Sequence, residues 1–226
     1  MGKRDGIRRE IDLMCRYPKP KNRVAERPEI TEEDRAISRR FDVDYFDGDR
    51  RHGYGGFGYH PRFWTDTVEL FTTHYGLAEN AAILDVGCAK GFMLKDFQLR
   101  LPNAQLAGID VSPYAIANAD PAVAGIVSVG NAMDLPFEDN SFDLVISINT
   151  LHNLHQADCV RAFAEVQRVT RDAAFVMVDG WTNDEERELL ERWVLTAYTM
   201  LSDADWNDLM TEAGYTGDYA LWNPLS

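Results

Sequence analysis

The chain has 226 residues, 45% of them hydrophobic, enough for one sizeable core, so a single domain with an N-terminal extension is expected. Its net charge of −14 is uneven: residues 1–60 carry 14 of the 23 Lys and Arg against 12 acids, and the remainder carries 9 against 25, a body that repels nucleic acid. The opening MGKRDGIRREIDLM is too charged for a secretion signal and no apolar run nears the roughly 20 residues that span a bilayer, so a cytoplasmic protein without a membrane partner is expected.

The basic head, MGKRDGIRREIDLMCRYPKPKNRVAER, reads either as a Pro-containing arm lying on the acidic body or as a clamp for an anionic substrate. TEEDRAISRRF (31–41) places Asp34 three residues after an N-cap Thr31 and predicts a short helix. DYFDGDRRHGYGGFGYH (44–60) sets five glycines among five aromatics with no helical or strand period, and reads as an ordered loop held by its rings. PRFWTDTVELFTTHYGL then starts a helix at Pro61, aligns Trp64, Val68, Phe71 and Tyr75 on one face, and stops near Gly76.

From residue 81 onward, short apolar runs alternate with helical stretches. AAILDVG, AQLAGID, AGIVSVG, FDLVISIN and AAFVMVDG read as strands, separated by FMLKDFQLR, PYAIANA and HQADCVRAFAEVQRVT as helices. Near-continuous apolar strands are buried on both faces, and alternation with helices implies parallel crossovers, so the pattern predicts a three-layer, doubly wound α/β sheet. In the tail, NDEERELLERWVLTAYTML reads as one long helix, SDADWNDLMTEAGY as a capped helix ending at Gly214, and TGDYALWN as short closing strands. Cys15, Cys88 and Cys159 are odd in number and widely spaced, which supports neither a disulfide framework nor a metal site.

Ligands of such sheets sit beyond the carboxyl ends of the strands. There, Gly87 and Gly91 are expected to admit a ligand where a Cβ would block it, and the helix from Phe92 offers free N–H groups. Lys90 precedes Gly91 with no Gly-Lys-Ser/Thr, which excludes a P-loop. Asp110 ends the second strand 19 residues after Gly91, where an acid reaches the hydroxyls of a ribose. This much suits an NAD site as well as an adenosyl site, and equally a tight strand–helix turn with a strand-end carboxylate.

Together with ILDVGCAKG and GIDVS, the stretch GNAMDLPFEDNSFDLVISINTLHNLH (130–155) resembles the class I S-adenosylmethionine-dependent methyltransferases, over roughly residues 77–180. The resemblance implies a Rossmann-like, mainly parallel seven-stranded sheet with S-adenosylmethionine as cofactor. It implies that Asp85, Gly87, Cys88 and Gly91 form the glycine loop, that Asp110, Val111 and Ser112 form the ribose edge, and that Asn131, Ala132 and Met133 form the adenine wall. Asn149, Thr150 and Leu151 would then touch the sulfonium side. Two positions depart from the family pattern: Ala89 replaces a frequent glycine, and Asn131 replaces the usual Asp, keeping a carbonyl that accepts the adenine amino group. Residues 1–60 are then an arm, a short helix and a lid loop, in which Tyr54, Gly55, Gly56 and Phe57 cover the methionine end beside Arg62. Residues 61–226 form the cofactor-binding domain.

A methyl group on a positive sulfur is already activated, so the protein mainly aligns a nucleophile and removes a proton. His152 and His155 are the candidate bases, or else loop and cap hydrogen-bonders. Trp181, Trp193 and Tyr198 line the acceptor pocket or belong to the core. The expected reaction is methyl transfer to an O or N nucleophile of a small molecule. An NAD-dependent oxidoreductase and a non-catalytic or protein-modifying relative are the alternatives, and oligomeric state, a homodimer included, is left open.

Overall fold

Strands β1 (Ala82–Val86), β2 (Gln105–Asp110), β3 (Val127–Val129), β4 (Phe142–Ile148), β5 (Thr170–Trp181), β6 (Leu201–Ser202) and β7 (Asp218–Trp222) form one sheet in a computed structural model describing residues 8–18, 29–55 and 57–223. The path runs β3-β2-β1-β4-β5-β6, with β7 also paired to β5, and every pairing is parallel. Strand order reverses between β1 and β4, so the tips of β1, β2 and β4 open a crevice at the carboxyl edge.

Alternation along β1 explains its all-buried pattern. Leu84 and Val86 face one way, onto helices α6 (Gln156–Val169) and α8 (Asp203–Glu212) through Phe163, Val166, Trp206 and Met210. Ile83 faces the other way, onto α3 (Pro61–Tyr75) and α4 (Phe92–Arg100) through Val68, Phe71, Met93 and Phe97. The expected three layers and doubly wound sheet are thus present. Helix α3 starts at Pro61 and ends at Gly76 with φ +60, and α1 (Glu32–Ser38) opens on a capping box between Thr31 and Asp34. A short helix α2 (Val43–Phe46) lies within the Gly/aromatic stretch, and α5 (Pro113–Ala117) follows β2.

The tail departs from expectation twice. Helix α7 spans only Asp184–Trp193, because Val194 turns extended at φ −73 and ψ 129. The backbone beyond it is bonded elsewhere: Arg35 donates to the Val194 and Glu191 carbonyls, Arg39 to Thr196 and Ala197, and the Tyr198 and Thr199 amides donate to the His152 carbonyl. Tertiary partners outbid the local helical preference of residues 194–200. The final segment forms one strand, β7, rather than several. Beside it lies the described part of the basic head: the Ile11 amide donates to the Tyr219 carbonyl at 2.8 Å, and Arg9 pairs with Asp218 at 3.2 Å. The described portion of the arm therefore lies on the body. Among the described residues no helix is long and apolar enough to cross a membrane.

Candidate active site

The loop after β1 carries three left-handed residues, Gly87 (φ +86), Ala89 (φ +49) and Gly91 (φ +75). A Cβ on Gly87 would stand 2.0 Å from Thr150 Oγ1, and one on Gly91 2.7 Å from a Val123 methyl. Both glycines therefore make room for the protein's own side chains. Ala89 holds a conformation that costs a non-glycine residue energy, and its amide is used there, donating to Asp110 Oδ2 at 2.8 Å. The amides of Gly87 and Cys88 both point to the Ile109 carbonyl, which fastens the loop to the tip of β2.

Asp110 is 9% exposed, and its Oδ1 accepts from the Ser112 amide at 2.8 Å. Burial pushes its carboxyl up, and the two amide bonds pull it back. Each oxygen keeps a further lone pair for the cavity. Asp85, one strand over, makes no side-chain hydrogen bond among the described residues; burial, and then the nearby charge of Asp110, push it up to about 8. Burial likewise pushes the Cys88 thiol up, which makes it a wall rather than a nucleophile.

One cavity of about 1420 Å³ gathers most of the expected site. Asp85, Gly87, Cys88, Asp110, Val111, Asn131, Ala132, Asn149 and Thr150 all line it. Gly91, Ser112, Met133 and Leu151 are outside the lining and support it instead. Ser112 caps α5 and donates to the Phe41 carbonyl, the Met133 amide donates to Asn131 Oδ1, and Leu151 is fully buried in the core.

The two histidines separate. His152, 4% exposed, lines the cavity, and its Nδ1 accepts the Asp179 amide proton at 3.1 Å. His155 is exposed at the N-terminus of α6 against the Tyr198 ring, outside the cavity lining. Asp179 also lines the cavity, with a carboxylate oxygen 3.5 Å from His152 Nδ1. Burial pushes its carboxyl up, while the neighbouring His152 opposes the shift. Sequence reasoning missed Asp179; its signal was a lone acid ending the apolar run AAFVMV. Among the three aromatics, Trp193 lines the cavity, whereas Trp181 packs on the Leu190–Val194 cluster and Tyr198 lies under the Arg39 guanidinium.

Residues 41–55 and 57–58 fold over the crevice. Tyr54 and Gly55 line it, Tyr54 Oη accepts the Leu195 amide at 2.8 Å, and its ring meets Trp193 at 5.8 Å. Gly56 lies outside the described residues; Phe57 is exposed and contributes its carbonyl. Lys90 holds this cover down, its buried ammonium donating to both oxygens of Asp47 at 2.6 and 2.8 Å and to the Phe57 carbonyl at 3.1 Å. Tyr114 adds a bond to Asp47. Arg62 sits at the rim over the Phe63 ring.

Residues 84–178 match a family described as a methyltransferase domain. The chain is 37% identical over 98 residues to malonyl-[acyl-carrier protein] O-methyltransferase of Geobacter sulfurreducens, covering 42% of this chain and 36% of that one. It is 29% identical over 136 residues to 2-methyl-6-phytyl-1,4-hydroquinone methyltransferase of Synechocystis, covering 56% and 41%. The chain thus spans less than half the length of either relative. Among solved structures, the YcgJ protein of Bacillus subtilis shares the fold with a TM-score of 0.53 at 21% identity, covering 65% of this chain and 66% of that one. S-adenosylmethionine is the cofactor these likenesses imply. The residues fit it: Asp110 presents a buried carboxylate, pre-oriented by two backbone amides, to the cavity. Residues 84–178 are thus similar to a methyltransferase domain, set in a sheet with the fold of the class I S-adenosylmethionine-dependent methyltransferases.

Proposed function

We propose that this chain transfers a methyl group from S-adenosylmethionine to an O or N nucleophile of a small molecule. The observation that carries this reading is one continuous cavity that joins the Asp110 carboxylate, the Asn131–Ala132 wall, Asn149 and the His152–Asp179 pair under a cover. When bound, the cofactor supplies a methyl group already activated on a positive sulfur.

Asp110 would hold the ribose diol through its free lone pairs, and Asn131 and Ala132 would flank the base. Asn149 and Thr150 would face the sulfonium, and the cover made by Tyr54 and Gly55 would exclude water. His152 has a narrower part than a free imidazole. Because Nδ1 accepts a backbone amide proton, the neutral ring carries its proton on Nε2 and offers a donor to the cavity. In this geometry His152 orients the acceptor oxygen or nitrogen by hydrogen bonding, and catalysis rests on alignment more than on proton removal.

Label transfer from methyl-labelled cofactor to a small-molecule extract, with the protein itself remaining unlabelled, tests the reading. Label appearing in the chain or in added protein instead would favour a protein-modifying relative. S-adenosylhomocysteine is expected to bind at micromolar concentration and NADH not at all; the reverse order would favour an oxidoreductase.

A further inference from the structure

We infer that the methyl acceptor is an apolar, ring-bearing molecule, held in an aromatic-walled lobe of the cavity beside the cofactor crevice. This rests on the methyl-transfer reading above and names its substrate class. Pockets for a single small ligand usually enclose about 300–1,000 Å³. The cavity here encloses about 1420 Å³, enough for a second molecule.

One set of lining residues differs in chemistry from those around Asp110 and marks out an apolar part of the cavity. Met14, Tyr17, Trp64, Ile148, Met177 and Trp222 line it, and the same six belong to or pack against the apolar cluster on the α3 and α4 side of the sheet. That cluster thus opens at the carboxyl edge into the cavity instead of closing over itself. The six come from separate pieces of chain: the segment beside β7, the first turn of α3, the ends of β4 and β7, and Met177 within β5. Tyr17 meets the Trp64 ring at 4.9 Å and the Phe63 ring at 5.6 Å, tilted at 58° and 41°, so the wall presents both ring faces and edges.

Water against such a wall finds few hydrogen-bond partners, and an apolar occupant is favoured by the surface it covers. Polar groups line the cavity as well. Glu10, Asp12 and Arg62 line the cavity on the arm and α3 side. At the inner end, Ile148 adjoins Asn149, and Met177 lies two residues before Asp179, whose amide holds His152. An acceptor with its rings in the lobe and one hydroxyl or amine at the inner end would meet the His152 Nε2 proton beside the sulfonium position. A sugar or a free amino acid would cover less of this apolar surface and leave more of its polar groups facing carbon.

Calorimetric titration of the full chain tests this, first with S-adenosylhomocysteine alone and then, on the loaded chain, with 2-naphthol as an apolar, ring-bearing probe and with glucose as a polar one. The expected result is saturable 2-naphthol binding, no glucose binding, and about tenfold weaker 2-naphthol binding in Trp222→Ala and in Tyr17→Ala, with S-adenosylhomocysteine affinity within twofold of the parent. Tyr17 lies outside the sheet, so its variant decides the matter should Trp222→Ala fail to fold. A loaded chain that does not bind 2-naphthol, or binds it equally well in both folded variants, overturns the apolar acceptor while leaving the cofactor reading intact. Failure of S-adenosylhomocysteine to bind in the first titration overturns both.

Discussion

The backbone amide of Asp179 donates to Nδ1 of His152 at 3.1 Å, which fixes the neutral imidazole with its proton on Nε2. A strong general base would need Nε2 bare, with the Nδ1 proton turned to the Asp179 carboxylate 3.5 Å away. The two roles differ in what glutamine can replace. Acting as an orienting donor, His152→Gln keeps methyl transfer within about tenfold of the parent, while His152→Ala loses more; a base would lose on the order of 100-fold or more in both. Single-turnover rates with saturating cofactor, measured against pH, separate the two.

Lys90 and Asp47 bind the cover to the glycine loop. The Lys90 side chain is 7% exposed and Asp47 29%, so Lys90→Met leaves a carboxylate partly desolvated and unpaired. The expected cost is about 1–3 kcal/mol, below the range for fully buried pairs because Asp47 reaches solvent. Asp47→Asn on top of Lys90→Met should return part of it, and chemical denaturation of the four proteins in the cycle measures the coupling. Burial opposes ionisation of Asp47, but the bonds from Lys90 and Tyr114 and the Lys90 charge outweigh it and hold the carboxyl below its usual value. Its stabilisation is therefore present above the ordinary carboxylate range and is lost as pH falls through the lowered value.

Asp85 runs the other way. Its carboxyl is pushed up to about 8, so between the ordinary value of 3.8 and that point the folded chain holds a proton that the unfolded chain has lost. Its contribution is greatest below pH about 4 and falls away as pH rises toward 8. Asp85→Asn should flatten this, so that the variant gains on the parent by at least about 1.4 kcal/mol, the worth of one pKa unit, between pH 5 and pH 8. Paired unfolding curves at the two pH values check the sign.

Gly87→Ala tests whether that glycine serves the protein or a ligand. At φ +86, with Thr150 Oγ1 2.0 Å from the new Cβ, the change should cost at least about 1–3 kcal/mol of stability without any ligand present. Thr150→Ala should recover the steric part and leave the backbone part. Thermal unfolding of the single and double variants resolves the two.

The sheet was legible because its strands are buried on both faces, so Ile83 and Leu84 are equally apolar although they serve opposite layers. Helix α3 was legible from its ends, Pro61 and Gly76. The end of α7 was not, since the groups that hold residues 194–199 open are Arg35, Arg39 and the His152 carbonyl, far away in sequence. At the site, the spacing of Asp85, Asp110 and Asn131 located the crevice because strand tips carry those residues there by topology alone. Two histidines three residues apart could not be told apart, because a single turn of 3₁₀ helix over Leu151–Asn153 decides which of them faces inward. Lys90 was legible only as evidence against a P-loop; its partner Asp47 lies 43 residues away.

The central claim is that the Asp110 carboxylate, held by the Ala89 and Ser112 amides, grips the cofactor's ribose. Calorimetric titration of S-adenosylhomocysteine into the parent and into Asp110→Ala, each shown to be folded, measures it directly. The account predicts micromolar binding to the parent and a loss of at least about tenfold in the variant, the worth of one charge-assisted hydrogen bond. Equal affinity in the two proteins would contradict it.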